Sequence, residues 1–318
     1  MKILITGIAG FVGSHLAELL VQKNNEVFGI CLGCEDMSGL ALIRKDVAIY
    51  RCDITDFPKL LELIKKIRPQ QIYHLAGVSS AGKSFFEPLA TFNTNIFGTI
   101  SLLEAVHRAK LDARLLIIGS GDVYGIVSKK DLPIKENLAL NPISPYAVSK
   151  ATSDLLAYQY SKSYGLRIIR TRSFNHTGPG QGLGFAIPDF SHQIAKIERG
   201  LTPAYLKVGN LQVVRDLTDV RDVVKAYRLL MKKGKAGEVY NICLGKGYKL
   251  KQVLDKLLGY SSRKIRVVQD KNKKRTADIQ IMVGDNSKIK KEIGWKPKIA
   301  LNETLKDVLD YWRKKYDK

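Results

Sequence analysis

Tyr146 and Lys150 stand four residues apart in Tyr-Ala-Val-Ser-Lys, a spacing that stacks a phenol and an ammonium on one face of a helix. A phenol titrates near pH ~10 unperturbed, and a neighbouring cation favours its phenolate. The pair is therefore expected to give and take a proton closer to neutrality. A second pattern, Gly7-Ile-Ala-Gly10-Phe-Val-Gly13, suits a different task. Glycines at such spacing permit a tight turn, close approach of backbone to a pyrophosphate, and close packing of the following helix, whose N-terminus faces the phosphate charge. The spacing is GxxGxxG rather than GxGxxG, so its meaning depends on the elements around it.

Those elements are legible. Ser144 is a good N-cap and Pro145 suits the first helical position, so a helix carrying Tyr146 and Lys150 is expected to run to about Tyr164. Lys2 to Thr6 reads as a buried strand leading into the glycine turn, followed by an amphipathic helix to about Gln22 and a strand from Glu26 to Ile30. The alternation continues with strands at 48–51, 71–75 and 114–118, a helix at 57–67 and a long helix at about 88–109 that carries Asn93, Asn95 and Gly98. Ser120, Asp122 and Tyr124 follow one strand, and Leu75-Ala76-Gly77 follows another with small residues that let a ligand approach. A parallel, doubly wound α/β sheet of Rossmann type is expected, with ligands at the carboxyl ends of its strands.

After a strand at 167–171 the chain becomes rich in glycine and proline, with one helix near Asp189 to Arg199. Asp219 or Asp222 caps a helix through Met231, and Glu238 to Cys243 returns to the sheet. The remainder alternates short helices and strands and ends in a helix from about Leu301. The expected division is a sheet domain of residues 1–172 and 211–245 and a smaller α/β lobe of 173–210 and 246–318 that binds substrate.

Composition narrows the class. The 318 residues suffice for a sizeable core. Cysteines 31, 34, 52 and 243 are too few and scattered for a disulfide framework, and Cys31-x-x-Cys34 has no second pair or nearby histidine, so no metal site and a reducing compartment are expected. The apolar N-terminal run is broken by three glycines, His15 and Glu18, and no stretch reaches the ~20 apolar residues of a membrane span. A soluble, cytoplasmic protein without a membrane partner is expected. The net charge is +22, and residues 249–318 hold 20 Lys/Arg against 9 Asp/Glu. Such a balance suits a polyanion or a phosphorylated small substrate, or reflects a solvated lysine-rich surface. Without an aromatic-interleaved basic motif, the surface reading is preferred and no nucleic-acid partner is expected.

Taken together, the glycine turn, Ser120 at a strand end and Tyr146-x-x-x-Lys150 resemble the extended short-chain dehydrogenase/reductase family over the whole chain. The segments FNHTGPGQ (174–181), KVGNLQVVRDLTDVRDVVKAY (207–227) and GWKPK (294–298) resemble its nucleotide-sugar branch. The resemblance implies a reductase of a GDP-linked 4-keto-6-deoxy sugar, with a nucleotide-sugar dehydratase or epimerase that retains its cofactor as the alternative. A non-catalytic protein binding dinucleotide and nucleic acid is a third, more distant reading. In the family's terms, Tyr146 gives the proton to the keto oxygen, Ser120 hydrogen-bonds that oxygen and Lys150 holds the nicotinamide ribose. Gly7, Gly10, Phe11, Val12, Gly13, Asp53, Ile54, Leu75, Ala76 and Gly77 join Tyr146 and Lys150 at the cofactor. Ser79, Asp122, Asn175, Gln193, Arg215 and Arg275 are expected at the substrate, and His176 is read as structural.

Three departures bear on this picture. Ser120-Gly121-Asp122 stands where the dehydratases carry Thr-Ser-Glu, Arg275-Thr-Ala-Asp278 replaces Arg-Pro-x-Glu, and Gln193 stands where they tend to carry lysine. Ile30-Cys31-Leu32 lacks the acid of NAD-specific relatives, yet no arginine occupies the usual NADP position and Glu35 and Asp36 follow closely. NADP(H) is expected to be preferred with NAD(H) tolerated. The family also implies a homodimer through the helices near Asn95 and Tyr158.

Overall fold

The computed structural model describes residues 1–33, 35–270 and 278–317. Its centre is a parallel sheet built from β1 (Lys2–Thr6), β2 (Glu26–Cys31), β3 (Val47–Arg51), β4 (Gln71–His74), β5 (Arg114–Ser120) and β6 (Arg167–Ser173), with Val239–Ile242 at one edge. The order across the sheet is the edge strand, β6, β5, β4, β1, β2, β3. β1 pairs in parallel with both β2 and β4, so the chain winds outward in one direction and then the other. The crevice at the carboxyl ends of β1 and β4 is the switch point where such sheets bind ligands.

The apolar runs of the strands follow from burial on both faces. Ile3 and Ile5 pack with the helices Phe11–Val21 and Val220–Lys233 on one side, whereas Leu4 packs with Phe57–Ile67 and Gly98–Arg108 on the other. A separate core fills the lobe, where Phe190, Ile194, Leu206, Leu254, Leu305 and Trp312 meet. Packing crosses the expected division in both directions: Leu217, in the segment 211–245, is buried in the core of the lobe with Leu211 packed against it, whereas Ile289, Ile293 and Trp295, in the segment 246–318, pack into the core of the sheet domain. Trp295 is fixed there by its indole N–H, which donates to the carbonyl of Asp222 at 3.0 Å. Among the described residues no helix is long and apolar enough to cross a membrane.

The long helix expected at 88–109 is interrupted. Pro88–Phe92 and Gly98–Arg108 are α-helical, and Asn93–Phe97 between them is a π-helical turn. The wider turn brings Asn95 inward, where its amide finds partners that a regular helix would not reach. Small pairings also escaped the sequence reading: Val214–Asp216 lies between Gly247–Lys249 and Ile281–Met282 in a three-stranded sheet that tethers the lobe beside the crevice.

Candidate active site

Ser144 accepts a hydrogen bond from Ala147 N at 3.1 Å, Pro145 opens the helix Pro145–Tyr164, and Gly165 closes it with φ +69°. This orients Tyr146 and Lys150 toward the end of β5. The Tyr146 phenol is hydrogen-bonded to the Ser120 side chain, and Lys150 Nζ donates to the carbonyl oxygen of Ile118 at 2.9 Å. Since Ile118 and Ser120 are two apart on one strand, the helix meets the strand end through both functional groups. Ser120 Oγ accepts the N–H of Asp122 at 3.1 Å, which leaves its own proton to donate.

The electrostatics differ from expectation in one respect. Burial first, and then the charge of Asp122, push the Tyr146 phenol above its ordinary value, while the Ser120 hydrogen bond pulls the other way. The expected drop toward neutrality is therefore corrected: the ammonium of Lys150 is directed to the Ile118 carbonyl, and desolvation outweighs it. Near neutral pH Tyr146 is a protonated phenol, the form that can act as an acid. Burial also lowers Lys150, to about 8.

The glycine turn has the shape a diphosphate needs. Gly7 has φ +72°, and a Cβ there would lie 2.8 Å from Ala76 Cα; one on Gly13 would lie 2.2 Å from the Gly7 carbonyl oxygen. Gly10 begins the helix Phe11–Val21 without a side-chain cap, and no acid stands in its first turn. Its first N–H groups thus face the crevice of β1 and β4 with a positive helix end behind them. Phe11 stacks on His176 with ring centroids 6.3 Å apart, and Val12 packs against the sheet core. At the neighbouring strand ends, Asp53 Oδ1 accepts from Thr55 N at 2.8 Å and Ile54 is buried against Gly98. These features fit a nicotinamide dinucleotide laid across the switch point.

Asn95 ties the two halves together. Its Oδ1 accepts from Val78 N at 2.8 Å, and its Nδ2 donates to Val78 O at 3.1 Å and Ser149 Oγ at 2.8 Å. The segment Leu75-Ala76-Gly77 is thereby held against the helix of Tyr146. The sequence reading placed Asn95 in the right stretch but gave it no part in the site; a polar pair in a helix interior was the available signal.

A cleft beside Asp122 is lined also by Ser144, Ala147, Asn175, Arg215 and Asp278; Ser120, Tyr146 and Lys150 are not among its lining residues. It opens into a larger cavity of about 440 Å³ with apolar walls that include Phe185, Ile187, Leu211 and Leu250. Arg215 Nη2 donates to Asp278 Oδ1 at 3.0 Å, and Asn210 Nδ2 donates to Asp278 Oδ2 at 3.0 Å. The acid of the Arg-Thr-Ala-Asp segment thus orients the guanidinium from across the cleft. Arg275 lies outside the described residues, as does Cys34. Ser79 is exposed on the loop after β4, beside Ser80, which lines the larger cavity.

Gln193 accepts from Lys207 N at 2.9 Å and donates to the carbonyls of Asp189 and Lys207 at 3.2 Å each, so its amide staples the helix Ala186–Glu198 to the strand Tyr205–Val208. His176 Nδ1 is hydrogen-bonded to the carbonyl of Phe174 at 2.9 Å, burial lowers its pKa, and the residue also lines the larger cavity. Among the described residues no cluster of His, Cys, Asp or Glu is arranged to hold a metal.

Comparison with known proteins agrees with this geometry. The family model described as GDP-mannose 4,6 dehydratase matches residues 4–308. The chain belongs to this family. Within it, the chain is 34% identical over 311 residues to the GDP-6-deoxy-D-mannose reductase of Pseudomonas aeruginosa, covering 98% of this chain and 97% of that one. The solved structure of RMD from Pseudomonas aeruginosa complexed with NADPH superposes with a TM-score of 0.87 at 33% identity, covering 99% of each chain. The Thermus thermophilus UDP-glucose 4-epimerase in complex with NAD gives a TM-score of 0.88 at 27% identity over 98% of this chain and 99% of that one. The α/β sheet and its flanking helices are thus those of the extended short-chain dehydrogenases/reductases to which the GDP-mannose 4,6-dehydratase family belongs.

Proposed function

We propose that the protein reduces the 4-keto group of GDP-4-keto-6-deoxy-D-mannose, to GDP-D-rhamnose or its C4 epimer, with NADP(H) preferred and NAD(H) tolerated. The observation that carries the reading is the meeting of Ser120, Tyr146 and Lys150 at the end of β5, beside the glycine turn. The likeness to a GDP-6-deoxy-D-mannose reductase and to a structure complexed with NADPH supports the choice of substrate and cofactor. A reduced nicotinamide, when bound beside Lys150 and the glycine turn, would supply hydride to the carbonyl carbon.

The protein's own residues handle the oxygen and the charge. Ser120 donates a hydrogen bond to the keto oxygen, and Tyr146 passes its proton to that oxygen as it becomes an alkoxide. Lys150 bears positive charge below about pH 8, holds the ribose hydroxyls and stabilises the phenolate left behind. Asn175, Arg215 and Asp278 border the cleft where the sugar diphosphate would lie, and arginine suits phosphate through its forked donors. Exposed Phe97, Leu155 and Tyr158 on the helices near Asn95 and Tyr158 support the homodimer, which light scattering tests; a monomer at micromolar concentration counts against it.

The direct experiment follows NADPH absorbance when the purified protein meets the ketosugar. Turnover by the wild type, with Tyr146→Phe inactive yet still binding NADPH, is expected. Absence of turnover with either nicotinamide across several nucleotide-sugar ketones would sink the reading. Asp122 favours a second one, because its carboxylate acts electrostatically on Tyr146 and lines the same cleft. A dehydratase or epimerase would show a co-purified nicotinamide that recycles without net consumption.

A further inference from the structure

The first turn of the helix Pro145–Tyr164 is closed from outside. The opening N–H groups of a helix have no intrahelical acceptor. Pro145 has no N–H to offer, Ala147 N donates to Ser144 Oγ at 3.1 Å, and Val148 N reaches the Ser144 carbonyl at 2.9 Å. The remaining donor is the N–H of Tyr146 itself, and Ser84 Oγ accepts it at 3.1 Å from 62 residues away. Ser84 is fully buried, and its own proton goes to the carbonyl of Ala81 at 2.8 Å. A hydroxyl has one proton and two lone pairs, so both bonds are made at once. The other end of the same residue is held as well. The Tyr146 carbonyl accepts from Ser149 Oγ at 2.7 Å, and Ser149 Oγ accepts from Asn95 Nδ2 at 2.8 Å. Ser84 ends the short helix Ala81–Ser84, which forms part of the wall over the site. Ala81 and Phe85 line the cleft beside Asp122, and Gly82, Lys83 and Phe86 line the larger cavity.

We infer that Ser84 is a positioning residue for the proton donor, joining the wall of the substrate cavity to the backbone of Tyr146. The inference rests on the reading of Tyr146 as the acid of ketone reduction. The phenol is carried on a Cα whose N–H is held from the cavity wall, through Ser84, and whose carbonyl is held from the loop after β4, through Ser149 and Asn95. A sugar nucleotide that presses on residues 81–86 therefore acts on the tyrosine through one hydrogen bond, without touching the phenol. The proton is delivered to an oxygen whose place is set by that wall, and displacement of a reacting group by about 1 Å can cost about 100-fold in rate. The tether keeps wall and donor in one register. Its loss leaves a buried N–H without an acceptor and frees the first turn of the helix to shift.

Kinetics of the intact protein with NADPH and GDP-4-keto-6-deoxy-D-mannose, beside amide hydrogen exchange at Tyr146, test the tether. Ser84→Ala should lower kcat about tenfold or more, change the Kd for NADPH by less than about twofold, and raise the solvent deuterium isotope effect on kcat as proton transfer becomes limiting. Its Tyr146 amide should exchange about tenfold faster or more, while amides in the middle of the helix keep wild-type rates. Ser84→Thr retains the acceptor and should recover most of the kcat and the slow exchange. Should Ser84→Ala fail to fold, Ser84→Cys, whose sulfur accepts only weakly, takes its place with the same signs expected. A folded Ser84→Ala protein with wild-type kcat overturns the positioning role. So does one in which kcat, NADPH affinity and mid-helix exchange all change together, since that is a general loss of structure. Exchange needs no turnover, so the two readings fail separately. A wild type that binds NADPH and reduces no ketosugar overturns the reading of the reaction, whereas unchanged Tyr146 exchange in Ser84→Ala overturns the tether.

Discussion

Asn95 Nδ2 donates to Ser149 Oγ at 2.8 Å, one residue before Lys150 and three after Tyr146. Ser149 in turn donates to the carbonyl of Tyr146 at 2.7 Å. The π-helical turn Asn93–Phe97 is therefore coupled to the loop after β4 and to the first turn of the catalytic helix at once. Asn95→Ala would leave the N–H of Val78 without its side-chain acceptor in a part-buried setting. A stability loss of about 1–3 kcal/mol is expected, together with weaker dinucleotide binding, because the loop that meets Gly7 is released. Urea unfolding and a binding titration read the two effects; unchanged values in both would show that the turn is held by other means.

A second network stands behind β5. Asp154 Oδ2 accepts from Arg172 Nη2 at 2.9 Å and from Arg170 Nη1 at 3.2 Å, with all three side chains buried. Arg172 Nη1 also donates to the Tyr124 hydroxyl at 3.0 Å, which donates to Asn241 Oδ1 at 2.8 Å. Tyr124 ends the short turn that begins just after Ser120. Removing the shared carboxylate in Asp154→Ala leaves two guanidinium groups buried beside each other, so a loss of about 3–5 kcal/mol is expected. The turn that carries Ser120 should loosen with it. Thermal unfolding measures the first effect, and turnover at a temperature where the variant remains folded measures the second.

Much of this was legible in the sequence, for physical reasons. The strands could be read because both faces of the sheet are covered, which demands apolar runs such as Lys2 to Thr6. The helix of Tyr146 could be read because Ser144, Pro145 and Gly165 bound it with residues suited to each end. Helical periodicity, in contrast, cannot report that a π-helical turn draws Asn95 inward. Nor can it disclose partners far along the chain: Arg51 meets Leu32 across 19 residues, and Arg215 meets Asp278 across 63. The bond from Lys207 N to the Gln193 amide, across 14 residues, is invisible to it for the same reason.

The fit of the diphosphate turn can be tested at a single carbon. A Cβ on Gly13 would approach the Gly7 carbonyl oxygen to 2.2 Å and Ile8 Cα to 2.9 Å, and backbone cannot swing aside as a side chain can. Gly13→Ala should therefore displace the turn, weaken NADPH and NADH alike by about tenfold or more, and cost about 1–3 kcal/mol of stability. Gly182, where an added Cβ meets nothing within 4 Å, is the matched control. Equal cofactor affinities for Gly13→Ala and Gly182→Ala would show that the dinucleotide does not use this turn.

Lys150 sets the expected response to pH. Its folded value of about 8 lies below the ordinary 10.5, because burial penalises the charged form. Below pH 8 the ammonium is present and activity should be insensitive to its titration. Above that point the proton is lost, the phenolate forming at Tyr146 loses its nearby positive charge, and kcat/KM for the dinucleotide, which reports the free enzyme, should fall toward tenfold per pH unit. Stability takes the opposite sign. A lysine whose folded pKa is depressed opposes folding at neutral pH, and this penalty is relieved between about pH 8 and 10.5 as the folded protein sheds a proton that the unfolded chain still holds. Activity should therefore decline across a range in which the Lys150 contribution to stability becomes less unfavourable. Lys150→Met separates the two: it should lose most activity at every pH and lack the stability change in that window. An activity profile flat from pH 7 to about 9.5, in wild-type protein shown by unfolding to remain native, would exclude the Lys150 charge from the reaction.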